Sequence, residues 1–312
     1  MNERILVTGA GGYIGSVLVP LLLDRGYHVK AVDTYGRGDT SLASCCINPL
    51  FEPHRGDARD ESFMKPLIQQ SEIIIPLAAL VGAPLCSRDP IGAATTNRDA
   101  VQMIVKHLGH EQRLIYPNTN SGYGVGDSGV ECTEETPLRP ISIYGSTKCD
   151  AERSVLDSGN GVTLRLATVF GMSPRMRLDL LVNDFTYRAV TDRAVVVFEG
   201  HFKRNYIHIR DVAIAFLHAI EHYSSMRGNA YNVGLSNANL SKLELCGVIK
   251  TLVPRFVFLE APIGEDPDKR DYVVSNSKIE RTGFQPTISL TAGIRELLRG
   301  YNLINNARYS NV

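Results

Sequence analysis

The stretch TGAGGYIGS, residues 8–16, decides the fold of this chain, because glycine recurs there at positions 9, 12 and 15, between a predicted strand and a predicted helix. The apolar run before it (4–8) predicts a buried strand, and the pattern after it (13–25) predicts a helix with one apolar face. Glycine lets the backbone turn sharply and lets a pyrophosphate reach the helix N-terminus, where free N–H groups favour anions. The motif alone also fits a tight turn without a ligand, since Ile14 stands where the usual pattern has its third glycine.

The context of the turn favours a dinucleotide site. Asp33 ends the next predicted strand (28–33), eighteen residues after Gly15. A carboxylate there can accept a hydrogen bond from the 2′-hydroxyl of a ribose, and it would repel a 2′-phosphate. We therefore predict NAD rather than NADP as the cofactor, with Arg37 as the one nearby residue able to weaken that preference.

Strand and helix patterns alternate through the first half of the chain. Further strands are predicted at 73–78, 114–116 and 162–167, and helices at 94–108 and 143–156. Alternation of this kind is typical of βαβ units. It predicts an α/β fold with a doubly wound parallel sheet of the Rossmann type.

In the second half of the chain, strand and helix patterns no longer alternate regularly. This change predicts a smaller C-terminal α/β lobe that binds substrate. Helices are expected at 179–190 and 210–223, and a strand at 231–234. We expect an NAD-binding Rossmann domain over 1–170 to which 205–235 return, and a substrate-binding lobe made of 171–204 and 236–312.

Composition indicates an ordinary globular protein whose partners include no nucleic acid and no membrane. The 312 residues hold 33 basic and 33 acidic side chains, and no basic run marks a nucleic-acid groove. The N-terminus lacks a signal-peptide pattern, and apolar stretches such as 17–23 are too short to cross a bilayer. The six cysteines have no metal-ligand spacing, so we expect reduced thiols, a cytoplasmic protein and no metal site.

Tyr144 and Lys148 are four residues apart in the predicted helix 143–156, so their side chains lie on one face. An ammonium beside a phenol stabilises the phenolate and lowers the phenol pKa from about 10. Such a tyrosine can accept a proton from a hydroxyl while hydride leaves the same carbon for nicotinamide. A surface pair without chemistry is the alternative, and the glycine motif argues against it.

This combination resembles the extended short-chain dehydrogenase/reductase family of nucleotide-sugar enzymes, and the resemblance runs over almost the whole chain. The motifs that carry it are the TGxxGxIG turn at 8–15, Asp33, the Gly56-Asp57 step, LAAL at 77–80 and the Tyr144-xxx-Lys148 pair. The resemblance implies catalysis by Thr119, Tyr144 and Lys148, with Thr119 in a turn that ends Tyr123-Gly124. It implies NAD contacts from Gly9, Gly12, Tyr13, Ile14, Gly15, Asp33, Asp57, Ala58, Leu77, Ala78, Ala79, Asn97, Tyr144 and Lys148.

The resemblance also implies a nucleoside-diphosphate sugar as the substrate and a homodimer as the assembly. Arginine suits the diphosphate, because its guanidinium presents a planar fork of donors to phosphate oxygens. The expected substrate contacts are Val81, Asn118, Asn120, Ser121, Arg177, Asn183, Arg204 and Arg270. In the homodimer, helices such as 94–108 and 143–156 would pack across a two-fold axis.

Four stretches resemble a narrower group within the family, the bacterial GDP-heptose C4 dehydrogenases. They are residues 77–86, 117–124, 164–185 and 264–276. This resemblance implies oxidation of a sugar C4 hydroxyl to a ketone, with a GDP-heptose-like substrate.

The two residues after Thr119 reduce the number of reactions that the chain could catalyse. In the 4,6-dehydratase branch of the family an Asp-Glu pair follows the threonine, and in the 3,5-epimerase branch a cysteine stands two positions after the hydroxyl residue. This chain has Asn120 and Ser121, neither of which is an acid or base near neutral pH. Cys86 and Cys149 could substitute, although a thiol in apolar surroundings is usually inert. Two reactions stay open: net C4 dehydrogenation, and 4-epimerisation through transient C4 oxidation with retained NADH.

Two readings from other classes compete with this enzyme chemistry. The sequence His218-Ala-Ile-Glu221-His222 spells a zinc-hydrolase pattern, but an amphipathic helix packed on the sheet is the favoured interpretation, since no third ligand is evident. A non-catalytic NAD sensor on the same fold would need the glycines but not Thr119, Tyr144 and Lys148.

Overall fold

The computed structural model of the protein describes residues 3–36, 40–126, 130–262 and 270–304. The strands are β1 (Arg4–Thr8), β2 (His28–Asp33), β3 (Phe51–Arg55), β4 (Ile73–Pro76), β5 (Arg113–Thr119), β6 (Glu131–Cys132), β7 (Gly161–Leu166), β8 (Thr168–Phe170), β9 (Ala194–Val197), β10 (Lys203–His208), β11 (Ala230–Val233), β12 (Asn239–Ser241), β13 (Val257–Glu260) and β14 (Val273–Val274).

The α-helices are α1 (Gly15–Asp24), α2 (Glu61–Gln69), α3 (Ala83–Arg88), α4 (Pro90–Ala94), α5 (Ala100–His107), α6 (Ile143–Asp157), α7 (Leu181–Thr191), α8 (Ile209–Glu221), α9 (Tyr223–Met226), α10 (Lys242–Leu252), α11 (Ser277–Glu280) and α12 (Leu290–Gly300). A π-helical turn (Thr95–Asp99) joins α4 to α5, and 3₁₀ turns lie at Ala43–Cys45, Asn120–Tyr123 and Tyr301–Leu303. None of the helices in the described segments has the length and apolar character needed to cross a bilayer.

The main sheet has seven strands in the order β11-β7-β5-β4-β1-β2-β3, and every neighbouring pair is parallel. From β1 the chain first builds outward through β2 and β3 and then crosses to β4 and β5 on the other side. The predicted doubly wound Rossmann fold is therefore confirmed. The carboxyl ends of β1 and β4 flank the point where the strand order reverses, which is where ligands bind in such sheets.

Strand β5 is longer than the sequence predicts. It was expected to end at Tyr116 because Pro117 follows, but it continues to Thr119. Its pairing with β4 stops at Leu114, whereas its pairing with β7 runs on to Thr119. The backbone N–H of Arg113 points to the β4 side, and so would an N–H at Pro117, four residues later. Strand β4 no longer pairs with β5 at that point, so the N–H that proline lacks removes no hydrogen bond from the sheet. The same divergence of β4 and β5 opens a crevice at the carboxyl end of the sheet.

The core lies on both faces of the main sheet because side chains alternate along each strand. Ile5 and Val7 of β1 join one buried cluster with α1 and α8, and Leu6 joins another with α2, α5 and α6. The two clusters account for the long apolar runs of the central strands, which are covered by helices on both sides.

The second lobe has a core of its own, formed by α7, α10 and α12. Its small sheets are β12-β10-β8, β13-β9 and β14-β6. Strand β11 pairs with β7 and so forms an edge of the main sheet, whereas β10 lies in the three-stranded sheet of the second lobe. The expected domain limits stay a prediction.

Candidate active site

The glycines of the first turn are required by close backbone contacts. Gly9 has a φ of +64°, and a Cβ there would lie 2.6 Å from the backbone nitrogen of Ala78, so β1 and β4 approach each other closely at their carboxyl ends. A Cβ at Gly15 would collide with the carbonyl oxygen of Ala10. Helix α1 begins at Gly15, and no described side chain caps its N-terminus. This cradle fits a pyrophosphate of NAD at the helix N-terminus.

Asp33 lies beside the glycine-rich turn, as the prediction of a ribose contact requires. Its carboxylate accepts hydrogen bonds from Gly11 N at 3.0 Å and from Tyr35 N at 2.9 Å. A carboxylate has about four acceptor positions, so Asp33 keeps capacity for ribose hydroxyls. Arg37, the residue that could soften the choice of NAD, lies outside the described residues.

Asp57 and Ala58, the predicted adenine contacts, follow β3 in the crossover that leads to α2. Asp57 forms an exposed ion pair with Arg59, with 2.5 Å between Oδ2 and Nη2. Ala58 is buried. The Arg59 guanidinium lowers the pKa of the Asp57 carboxyl through their hydrogen bond.

The loop after β4, which contains the predicted contacts Leu77, Ala78, Ala79 and Val81, is held from two sides. Ala78 N donates to Thr8 Oγ1 at 3.2 Å. The buried amide of Asn97 accepts from Leu80 N at 2.8 Å and donates to Leu80 O at 2.9 Å. Asn97 belongs to the π-helical turn, an irregularity that is common at functional sites. Its amide therefore shapes the cofactor-side loop, whereas its direct contact with NAD stays a prediction.

The structure brings Thr119 and Tyr144 together. Thr119 ends β5, and its side chain is close enough to Tyr144 to act on the Tyr144 phenol, while its Oγ1 lies 2.9 Å from Ser121 Oγ. Tyr144 and Lys148 lie in the first turns of α6, which begins after Ser142, whose Oγ accepts from Gly145 N at 3.1 Å. This cap fixes where the helix starts and hence where Tyr144 projects.

Burial dominates the protonation of the catalytic pair. Burial raises the pKa of Tyr144 to about 12, and the charges of Arg177 and Arg270 oppose that rise. Burial lowers the pKa of Lys148 to about 7. The Lys148 ammonium lies 4.1 Å from the ring centroid of Tyr116. The expectation that Lys148 brings the Tyr144 pKa below its usual value is therefore wrong for the protein by itself, because desolvation outweighs the neighbouring cations.

Asn183 joins the glycine-rich turn to the loop that enters the second lobe. It is fully buried, and its Oδ1 accepts from Gly171 N at 3.0 Å. Its Nδ2 donates to Arg177 O at 2.8 Å and to Tyr13 OH at 3.2 Å, and Tyr13 OH donates to Gly171 O at 2.7 Å. The amide thus has protein partners at both ends, and its role as a substrate contact stays a prediction.

Three arginines of the second lobe occupy different surroundings. Arg177 is buried and pairs with Asp179, with 2.5 Å between Nη2 and Oδ2. Arg270 donates through Nη1 to Ser121 Oγ in the turn that follows Thr119. Arg204 is buried, donates to Lys203 O at 2.9 Å and lies 5.8 Å from the Tyr272 ring centroid. Arg177 and Arg270 both act on Tyr144, so these two converge on the catalytic tyrosine.

The asparagines that flank Thr119 carry buried polar atoms without partners. Asn120 is 1% exposed, and neither amide atom has a hydrogen bond within the described part of the chain. Asn118 donates to Glu152 Oε2 at 2.6 Å, but its Oδ1 has no described partner. Unpaired buried amides are costly and rare, so they indicate a place for a polar ligand.

Sequence reasoning missed the buried ion pair of Glu152 and Arg165. Arg165 Nη2 lies 2.7 Å from Glu152 Oε1, and both side chains are buried. Two signals were available: Glu152 follows Lys148 by four residues, and Arg165 interrupts the apolar strand predicted at 162–167. A charge inside a buried strand calls for a buried partner.

The alternative readings find no support in the geometry. Burial raises the pKa of Cys86 to about 11 and that of Cys149 to about 12, so both thiols stay protonated near neutral pH. His218 Nε2 is hydrogen-bonded to Thr282 Oγ1 at 2.7 Å, and Glu221 pairs with Arg25. Across the described segments no three potential metal ligands cluster.

Comparison with known proteins agrees with this geometry. The sequence profile of the NAD dependent epimerase/dehydratase family matches residues 5–234. The dTDP-glucose 4,6-dehydratase of Actinoplanes sp. is 27% identical over 96% of this chain and 97% of its own length. UDP-glucuronic acid decarboxylase 1 of Arabidopsis thaliana is also 27% identical, over 96% of this chain and 69% of its own. The structure of UDP-glucuronic acid 4-epimerase from Bacillus cereus, with UDP-glucuronic acid and NAD, aligns at 25% identity and a TM-score of 0.83, covering 96% of this chain and 99% of that one.

Proposed function

Because the chain belongs to the NAD-dependent epimerase/dehydratase family, we propose that it is an enzyme that oxidises a nucleoside-diphosphate sugar at C4 to a 4-keto sugar. NAD is the cofactor. The observation that carries the proposal is the meeting of Thr119 with Tyr144 at the carboxyl end of β5, one helical turn from Lys148.

Each residue of the trio has a separate task. Tyr144, as a phenolate, accepts the proton of the C4 hydroxyl and becomes a phenol, and Thr119, whose side chain acts on Tyr144, holds the same hydroxyl in line. Lys148, in its ammonium form, stabilises the phenolate before the proton is transferred. NAD, when bound, would supply the hydride acceptor, and the glycine-rich turn (8–15) and Asp33 are the residues that would hold it.

The surroundings support a reaction that stops at the ketone. Asn120 and Ser121 provide no acid or base at the positions after Thr119, and the protonated thiols of Cys86 and Cys149 provide none nearby. Removal of a C5 proton, which dehydration and 3,5-epimerisation both require, therefore has no candidate base in this turn. We propose net C4 dehydrogenation on this ground.

The substrate that we propose is a GDP-heptose-like sugar. Its support is the resemblance of residues 77–86, 117–124, 164–185 and 264–276 to GDP-heptose C4 dehydrogenases. The unpaired amide of Asn120 suits a sugar rich in hydroxyl groups, because an amide can both donate to and accept from a hydroxyl. We assign the diphosphate to Arg204 and Arg270, with Arg177 as a further substrate contact, and we propose a homodimer that packs through α5 and α6.

A 4-epimerase is the second candidate. The same trio would serve an epimerase if the keto sugar rotates in the site, so that hydride returns to the other face of C4. A solved structure at 25% identity carries the name of a 4-epimerase. The two reactions differ in their product and not in their first step.

Mass spectrometry of the purified protein with GDP-, UDP-, CDP- and dTDP-sugars tests the proposal. Loss of two hydrogen atoms from a GDP-sugar is the expected result. Loss of water, loss of carbon dioxide from a uronic acid, or an unchanged mass with altered NMR couplings would instead identify a dehydratase, a decarboxylase or an epimerase. Binding of NAD without conversion of any sugar would favour the non-catalytic sensor.

A further inference from the structure

Glu152 continues the row of catalytic side chains on α6. It follows Lys148 by four residues, as Lys148 follows Tyr144, so the three share one face of the helix. Its side chain is 2% exposed. Oε1 accepts from Arg165 Nη2 at 2.7 Å, and Oε2 accepts from Asn118 Nδ2 at 2.6 Å. The catalytic helix is thereby bonded to β7 and to β5.

The same ion pair reaches the far end of the catalytic turn. Arg165 Nη1 donates to Tyr123 OH at 3.0 Å and to Glu134 O at 3.1 Å. Tyr123 closes the 3₁₀ turn (Asn120–Tyr123) that follows Thr119, and its hydroxyl donates to Asn232 Oδ1 at 2.7 Å. Glu152 is therefore connected to the residue before Thr119 and, through Arg165, to the turn after it.

Glu152 is also a source of negative charge for the buried Lys148 ammonium. The groups that act on Lys148 are Cys149 and Glu152 from its own helix and Cys86 from α3, and the ring of Tyr116 from β5 lies under its ammonium. Within the described residues, Glu152 is the only carboxylate among them. Its charge favours the ammonium form against the burial that disfavours it.

We propose, on the basis of the proposed function, that Glu152 is a positioning residue: with Arg165 and Asn118 it sets the spacing of Thr119 and Tyr144 and places a carboxylate behind Lys148. Stability alone does not account for such a pair, because well-packed apolar residues in place of a buried ion pair are often as stable or more so. The effect on the reaction passes through Lys148 and Thr119, which the proposed function places at the reacting atoms.

Kinetics of Glu152→Gln test the positioning role, with Asp211→Asn as a matched control. Asp211 is also a buried carboxylate, but it binds Thr287 and the backbone of Ile288 at the base of the second lobe. Glu152→Gln should lower kcat about 10²-fold with little change in KM. The limb of its pH profile that reports Lys148 should move about one unit lower, because Lys148 loses its ammonium more readily. The Asp211→Asn variant should lose stability and keep both the limb and kcat.

A double-mutant cycle in chemical denaturation tests the charge without any substrate. Glu152→Gln, Lys148→Met and their combination should show coupling at about pH 6, where Lys148 is charged, and much less at about pH 9. If Glu152→Gln does not fold with Arg165 left unpaired, Glu152→Leu combined with Arg165→Met removes both charges and should fold with the same loss of kcat. Additive free energies at both pH values, or an unmoved Lys148 limb with normal kcat, would overturn the proposal. Absence of turnover in the wild-type protein would instead overturn the proposed function, while the cycle still decides the role of Glu152.

Discussion

Arg270 of the second lobe donates a hydrogen bond to Ser121 of the catalytic turn, although 149 residues separate them in the chain. The contact ties the second lobe to the turn that follows Thr119. The charge of Arg270 also opposes the rise in the Tyr144 pKa that burial causes. One side chain of the second lobe therefore both contacts the turn after Thr119 and acts on the protonation of the proposed base.

Removing the charge of Arg270 should shift the pH dependence of the reaction. Without this cation the pKa of Tyr144 rises further, so the limb of the kcat/KM profile that reports Tyr144 should move to higher pH in Arg270→Met, by about one unit. Arg270→Lys keeps the charge and loses the planar fork, so it should raise KM while leaving the limb in place. Identical profiles for the Met variant and the wild type would show that Arg270 does not act on Tyr144.

Tyr144→Phe should leave NAD bound and abolish turnover, because the proton acceptor is lost while the cofactor cradle is intact. We expect kcat to fall at least about 10³-fold, in the range of general-base removal. Stopped-flow detection of NADH measures this, and fluorescence titration measures NAD binding. Tyr206→Phe is the matched control, since the Tyr206 hydroxyl is buried with no described partner. A Tyr144→Phe protein with near-normal rates would rule out the proposed chemistry.

Lys148→Met should stabilise the protein in mildly acidic solution while removing activity. The folded pKa of Lys148, about 7, lies below the 10.5 of free lysine. The cost of holding the buried ammonium is thus fully present below pH 7 and disappears as pH rises towards 10.5. The variant should gain up to about 5 kcal/mol in free energy of unfolding at pH 6, and the gain should vanish above about pH 11.

Urea denaturation of both proteins across this range measures the difference. Lys30→Met serves as the control, because the buried Lys30 ammonium donates to Gln70 Oε1 at 2.6 Å and its loss should cost stability. A Lys148→Met variant that is less stable than the wild type at pH 6 would contradict the prediction.

Asn120→Leu should leave the free protein as stable as before, or more stable by about 1 kcal/mol, because an unpaired buried amide is replaced by an apolar group of similar size. It should lower kcat/KM about 10²-fold, because the sugar loses its amide partner. Thr163→Val removes another unpaired buried hydroxyl, in β7, and should change stability in the same direction without a kinetic effect. Unchanged kcat/KM in the Asn120 variant would remove this residue from the substrate site.

Local signals in the sequence were sufficient for the fold and for placing Tyr144 and Lys148 on one helix face. Gly9 and Gly15 are required by contacts within one strand-turn-helix unit and its nearest strand, so their spacing predicts that unit directly. Tyr144 and Lys148 share a helix face because the helical period is local. The sequence prediction ends β5 too early, at Tyr116. Whether Pro117 is tolerated depends on whether the neighbouring strand on its N–H side still pairs there, and β4 does not.

The sequence by itself determined the parallel Rossmann sheet, the NAD cradle and the family, because backbone turns and helix periods act over a few residues. Only the tertiary structure decided the protonation of Tyr144 and Lys148, the partners of Arg270 and Glu152, and the unpaired amide of Asn120. Those properties depend on desolvation and on contacts between distant segments. Burial of a charge or an amide is a property of the assembled fold, and no local pattern contains it.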